Sequence, residues 1–261
     1  MKLRITLLSL AAALFAVAAT ASPLADQADS AYSADRFQEA STLYRKVMTD
    51  EGVSAELYYN LGNAEYRQGH LGQAILNYER ALRLDPSHGD ARRNLEFVNT
   101  RIADRPGERG TFIGNAIDAA AQKTSSNSWA WISFIAFAAT CGLAAIYIFS
   151  SEVRLRKTGF FGGIAMLAVT AVTVWMSSRA AAIATDTRIA IVTSPSTILS
   201  TSPRQPRTRA EEAMLLHEGT KIRIIDSVRS ATDSVPAMWF DVEVDNTHRA
   251  WINSRDVERV R

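Results

Sequence analysis

The sequence predicts a multidomain membrane protein: an α-helical repeat array, a two-helix transmembrane hairpin, and a small C-terminal all-β barrel. Three observations carry that fold class. Residue types recur at a spacing of 34 between positions 28 and 78. Two uncharged stretches, 129–150 and 159–178, lie close together in the middle of the chain. From Ile189 onward, short runs alternate apolar and polar residues with period two. A chain of 261 residues suffices for two modest domains rather than one large core.

At the start, Lys2 and Arg4 precede an apolar stretch from Ile5 to Ala19, and Ala19-Thr20-Ala21 offers a small-residue cleavage site before Ser22. That is the layout of a secretory signal peptide over residues 1–21. The alternative is an uncleaved anchor. In both readings the following segment is delivered across the inner membrane.

Ala28, Tyr32, Ala40 and Tyr44 stand 34 positions before Gly62, Tyr66, Ala74 and Tyr78. That spacing resembles the tetratricopeptide repeat, a helix–turn–helix unit. Gly62 and Ala74 are small where the two helices of a unit cross, which permits an approach of roughly 8–10 Å. Tyr58, Leu61, Ile75, Tyr78 and Leu82 are the bulky residues around the crossing. Gly69 separates the helices, and Asp85-Pro86 ends the second one because proline has no backbone donor. The unit from Ala55 to Pro86 is similar to the repeat consensus throughout, except that Glu65 stands where an aromatic is usual, with Tyr66 beside it. The first unit is degenerate, with Gly52 in place of the proline. Such units need neighbours to bury their faces. A capping helix from Asp90 to about Ile102 is predicted as the third, with Ala91, Leu95, Val98 and Ile102 in one apolar stripe and Arg92, Arg93 and Glu96 towards solvent. Array and cap together occupy residues 24–103.

In this repeat family the first helices of successive units line a concave groove that takes extended peptides. Carried over by position, the groove residues are Tyr59, Asn60, Asn63, Tyr66 and Arg67, with Arg93 and Asn94 from the next helix. An asparagine amide offers both a donor and an acceptor to a peptide backbone. The plain alternative is that Asn60 and Asn63 only follow the repeat consensus. Two repeats make a short groove, so modest affinity is expected.

Residues 104–128 contain Pro106, three glycines and a Ser-Ser-Asn run, the composition of a linker. Within it, Phe112 to Ala121 has helical character suited to lying along a membrane surface. Each uncharged stretch that follows is about 20 residues, roughly 30 Å as helix, which matches the apolar slab of a bilayer. The joining residues 151–158 include Arg154, Arg156 and Lys157, as a cytoplasmic loop does. The opposite flanks carry Lys123, Arg179 and Arg188, so charge counting alone does not orient the hairpin. The export signal does, and it puts both soluble modules on the periplasmic face of a bacterial inner membrane. Trp129, Trp131 and Trp175 then share the outer interface, which indole rings prefer. Gly159 and Gly163 form a G-x-x-x-G pair, serving either packing within the hairpin or pairing with another protein's helix.

Strands are predicted at Ile189–Val192, 220–226, 239–244 and 249–252, with turns at Gly219 and Asn246. Closure into a barrel removes exposed sheet edges. Leu216-His217-Glu218-Gly219-Thr220 leading into a strand, the Trp239-Phe240 strand and the late Ala250-Trp251-Ile252 resemble a bacterial SH3-like domain over residues 186–261, although the last motif is usually Gly-Trp-Ile. Trp239 is a candidate ligand platform on that domain, with barrel packing as its alternative; Trp251 reads as packing.

Composition and motifs exclude several functions. With 29 basic and 27 acidic residues, net charge +2, there is no electrostatic case for nucleic acid. No dinucleotide, phosphate-loop, zinc-protease or serine-hydrolase motif occurs. His70, His88, His217 and His248 show no metal-ligand spacing, and the single Cys141 lies in an apolar run as a packing residue. The reading is of a non-enzymatic protein with no cofactor and no metal.

The order of segments, together with Tyr58-Tyr59-Asn60-Leu61-Gly62-Asn63 and Arg154-Leu155-Arg156-Lys157-Thr158-Gly159-Phe160-Phe161, resembles the repeat-containing BatE type of the Bacteroides aerotolerance operon family. The resemblance covers essentially the whole mature chain. It implies an inner-membrane complex with von Willebrand factor A-domain proteins and a MoxR-type ATPase, and a role in oxygen or stress tolerance. The expectation is a membrane-anchored scaffold for protein–protein interactions. Its rival is a cell-envelope protein holding peptidoglycan through the SH3-like domain.

Overall fold

A computed structural model describes residues 23–105, 109–230 and 237–261. The leader reading, on residues 1–21, and Pro106 lie outside the described residues. Four helices form two consecutive hairpins: α1 (Pro23–Ser33) with α2 (Phe37–Asp50), and α3 (Ala55–Arg67) with α4 (Leu71–Leu84). The 34-residue repeat is expressed in a bond as well as in packing. The Tyr44 hydroxyl donates to Asp29 Oδ1 at 2.6 Å, and 34 positions on the Tyr78 hydroxyl donates to Asn63 Oδ1 at 2.7 Å. Burial pushes both phenols well above the usual tyrosine range, so both remain donors. Gly62 lies under the Tyr78 ring, where an added Cβ would stand 2.7 Å from Cε1. Ser54 caps α3 by accepting from the Leu57 N–H.

Glu65 explains its own departure from the consensus. It is 2 % exposed, and its carboxylate takes Arg45 Nη2 at 2.6 Å from α2 and pairs with His70 Nδ1 at 2.8 Å across the α3–α4 turn. A buried acid persists only when partnered, and here it ties the two hairpins together.

α5 (Gly89–Asn99) lies where the cap is predicted, with Ala91, Leu95 and Val98 buried, but it ends before Ile102, which packs on the cluster of Leu95 and Val98 from beyond the helix. Arg92 differs from expectation: it turns back to donate to the carbonyls of Pro86 and Gln122. The predicted linker is not free either. Asp104 accepts from the His217 N–H and the Thr220 hydroxyl, each at 2.6 Å, and Arg109 donates to the Lys221 carbonyl at 2.8 Å.

After α6 (Phe112–Ala121) come α7 (Ser126–Phe149) and α8 (Val153–Ala184). Both α7 and α8 are long and apolar enough to cross a membrane. The joining loop is shorter than predicted, because α8 starts at Val153 and carries Arg154, Arg156 and Lys157 in its first turns. Nothing in Val153 to Thr158 breaks a helix, and leucine, arginine and lysine favour one. A Cβ on Gly159 would lie 2.7 Å from the Leu143 carbonyl oxygen and the Tyr147 nitrogen. The two backbones therefore meet there, and that glycine serves packing within the hairpin.

The C-terminal region is a seven-stranded antiparallel sheet: β1 (Ile189–Val192), β2 (Ser196–Ser200), β3 (Glu212–His217), β4 (Lys221–Ser230), β5 (Ala237–Glu243), β6 (Arg249–Asn253) and β7 (Val257–Arg259), in the order β3-β2-β6-β5-β4-β1-β7. The short β2, β3 and β7 escaped the sequence reading. β1 and β2 are four places apart in that order, about 19 Å in a flat sheet. Only residues 193–195 join them, and so short a connection reaches roughly 14 Å at full extension. The sheet must curl, and all seven strands contribute to one buried cluster that includes Ala190, Leu199, Leu216, Ile222, Phe240, Ile252 and Val257.

The repeat array is docked on this sheet. Ala74, Ile75 and Leu76 of α4 share a buried cluster with Ile191 and Val260. Around it, Glu218 Oε2 accepts from the Gly72 N–H at 2.9 Å, Lys221 donates to Glu79 at 2.7 Å, and Arg80 pairs with Glu258 at 2.8 Å.

Candidate peptide-binding groove

The residues expected to line a groove lie on α3 and α5, first helices of successive units. Asn63 Oδ1 accepts twice, from the Tyr78 hydroxyl at 2.7 Å and from Asn94 Nδ2 at 2.8 Å. The buried tyrosine thereby fixes one amide, and that amide fixes the next. Asn63 Nδ2 and Asn94 Oδ1 make no hydrogen bond among the described residues, so one donor and one acceptor remain side by side. That pair matches the two needs of an extended backbone. The side chain of half-buried Asn60, one turn earlier, also makes no hydrogen bond among the described residues.

Aromatic rings flank the amides. The Tyr59 ring lies 4.8 Å from His88 and 6.2 Å from Tyr78. The Tyr66 ring meets Phe97 edge-on at 5.8 Å, and the Arg101 guanidinium covers Phe97 at 4.1 Å. Phe97 is 46 % exposed. The sequence reading missed it, although it stands 34 positions after Asn63 and repeats a groove-facing position.

The expected arginines do not join this cluster. Arg67 pairs with Asp35 at 3.0 Å and stacks on Phe37 at 4.1 Å, bracing the α1–α2 turn where Asp35 adopts φ +58°. Arg93 pairs with Asp90 on its own helix. Trp239 needs correction as a ligand platform. It is 2 % exposed, because β5 runs between β4 and β6 and nearly all its side chains are covered. Trp251, read as packing, is half-buried.

Residues 55–88 match the tetratricopeptide repeat family. The match covers α3, α4 and the turn into α5, which is the unit that carries Tyr59, Asn60, Asn63, Tyr66 and Arg67. No curated protein matches the chain. The chain thus contains a repeat of a type that binds other proteins, and no enzymatic family is indicated.

Proposed function

We propose that this protein is a non-enzymatic adaptor, anchored in the bacterial inner membrane by α7 and α8, whose repeat groove holds an extended segment of a partner protein on the periplasmic face. The observation that carries the reading is the Asn63–Asn94 pair, oriented by Tyr78 and left with one open donor and one open acceptor. The topology draws support from the docking of α4 on the sheet. Segments that touch each other before and after a membrane hairpin need an even number of crossings between them, and two helices supply it. The export signal and the basic turns at the start of α8 favour the periplasmic side. The sheet's curl and its motifs support an SH3-like barrel. Resemblance to the aerotolerance operon proteins names the partner class: membrane proteins with von Willebrand factor A domains, in a complex tied to oxygen or stress tolerance. The peptidoglycan reading loses its named residue with the burial of Trp239.

A photoreactive amino acid at Asn60 tests this in intact cells, with the same group at exposed Thr49 as control. Crosslinking to an A-domain membrane protein is expected from position 60 and not 49, and Asn94→Ala should abolish it. Equal labelling from both positions, or none from 60, refutes the groove.

A further inference from the structure

α6 is a ten-residue helix, Phe-Ile-Gly-Asn-Ala-Ile-Asp-Ala-Ala-Ala, whose only polar side chains are Asn115 and Asp118. One stripe, Ile117, Ala120 and Ala121, packs on Met176, Ala180 and Ile183 near the end of α8, with Trp129 of α7 beside it. The Trp129 indole N–H donates to the Ala121 carbonyl at 3.2 Å. Asp118 takes Arg179 in a two-pronged pair, Nε at 2.6 Å and Nη2 at 2.9 Å, so neither charge stands alone at this level. The other stripe, Phe112, Ala116 and Ala119, is exposed and has no cover among the described residues: Phe112 is 81 % exposed, and its neighbour Ile113 70 %.

An apolar stripe beside the end of a membrane hairpin has one natural cover, the bilayer itself. α6 joins α8 just beyond Trp175, and Trp129, Trp131 and Trp175 mark the band where indole rings meet headgroups. Trp131, Ile132 and Phe134, which follow Trp129 on α7, and Trp175, which precedes Met176 on α8, are exposed apolar side chains as well. The length of α8 fits as well: 32 residues make roughly 48 Å, more than a slab of about 30 Å requires. Its last turns therefore stand in the interface, where α6 lies against them. At its other end α6 is tied to the soluble module, since the Gly110 N–H donates to Asn246 Oδ1 at 2.8 Å and Asn246 Nδ2 donates back to the Gly110 carbonyl at 3.0 Å.

We infer that α6 is a third membrane element, an interfacial helix that puts Phe112, Ile113, Ala116 and Ala119 into the boundary between headgroups and acyl chains. It thereby fixes the tilt of the docked repeat and sheet over the membrane. The inference rests on the reading of α7 and α8 as a membrane hairpin.

Spin labels on single cysteines, in the full chain with Cys141→Ser, test it in vesicles of phosphatidylethanolamine and phosphatidylglycerol. Labels go on Phe112→Cys, Ala119→Cys, Phe137→Cys within α7, and Glu96→Cys on the repeat array. Oxygen reports lipid, and a water-soluble nickel chelate reports solvent. The 112 and 119 labels are expected to show an oxygen-to-nickel accessibility ratio severalfold above that at 96. If 137 is lipid-exposed while 112 reads like 96, the interfacial helix is overturned and the hairpin stands. If 137 also reads like 96, the hairpin itself fails. A 112 label that is immobile and shielded from both probes means a protein cover, a second copy or a partner, and likewise overturns the proposal.

Discussion

Replacing Gly72 by alanine sets helix propensity against interface geometry, and the structure indicates which wins. In an isolated helix the change would favour α4 by about 0.5–1 kcal/mol, because glycine gives up more backbone freedom. Here the new Cβ would lie 2.7 Å from the Val192 carbonyl oxygen, 3.1 Å from Glu218 Cβ and 3.2 Å from the Gly219 nitrogen. Two of those atoms are backbone, so no side-chain rotation relieves the contact and α4 must lift off the sheet. Overpacking of this kind costs about 1–3 kcal/mol. The lift also stretches the 2.9 Å bond from the Gly72 N–H to the Glu218 carboxylate, a charge-assisted bond contributing about 1.5–3 kcal/mol. The balance is a destabilisation of roughly 2–5 kcal/mol by these opposing terms. Chemical denaturation of the full chain in detergent micelles, with hydrogen exchange read over residues 189–192 and 217–220, measures it. Gly89→Ala is the control: its Cβ would meet only the far end of the exposed Arg93 side chain, Nη1 at 3.2 Å, and a shift within about 0.5 kcal/mol is expected. A Gly72→Ala protein as stable as the parent, with protection at both segments unchanged, refutes the docking.

Asn63→Ala strands the buried Tyr78 hydroxyl and should cost about 1–3 kcal/mol in thermal unfolding; adding Tyr78→Phe should recover most of it, and a double variant no better than the single would show that the bond does not orient the amide. Burial raises the Asp104 pKa, but the Thr220 hydroxyl, the His217 N–H and the His217 ring outweigh burial and hold it below the usual carboxylate range. Its stabilising effect is therefore complete above the unfolded carboxylate pKa of about 4 and is lost as pH falls through the lower folded value. The stability gap between the parent and Asp104→Asn should shrink over that acid range, and a constant gap contradicts the assignment. With Cys141→Ser, cysteines at exposed Glu96 and Thr247 should both react with a membrane-impermeant thiol reagent in outer-membrane-permeabilised cells, whereas Arg156→Cys should react only after lysis; different behaviour at 96 and 247 would break the two-crossing topology.

Legibility in the sequence followed the range over which each residue acts. The repeat was readable because Ala28, Tyr32, Ala40 and Tyr44 perform packing tasks that recur 34 positions on, and the bond from Tyr44 to Asp29 recurs with them. The two long apolar helices were readable because an absence of charge over about 20 residues is a local property of the chain. Strand β1 was found at its observed bounds as a short apolar run, and both of its faces are covered, Ala190 and Val192 in the sheet's own cluster and Ile191 in the cluster with α4. Alternation failed at Trp239, because β5 is covered on nearly every residue and alternation cannot rank depth there. The docking left no local mark at all. Asp104 reads as a loop acid, yet its partner His217 is 113 positions away; Gly72 and Glu218, 146 positions apart, are equally ordinary in their own surroundings. In the candidate groove, spacing pointed to the amides and to Arg67 alike, and only the three-dimensional arrangement separates Asn63 and Asn94, which are hydrogen-bonded to each other, from Arg67, which is drawn off by Asp35 and Phe37.

The docking also answers why so short an array holds together. In repeat proteins each unit contacts only its neighbours, and an end unit without a cover leaves its apolar face in water. α5 covers one side of α4. The sheet covers another, since Ile75 and Leu76 share their cluster with Ile191 and Val260. The cover has a mechanical consequence. Arg83 near the end of α4 donates to the Asp186 carbonyl at 2.6 Å, two residues beyond the end of α8 at Ala184. On the proposed function, a load on a partner segment held at Asn63 and Asn94 would pass through α4 to the chain just after α8. The sheet domain thus has a structural role that requires no ligand of its own: it covers α4 and braces the array against the residues that follow α8.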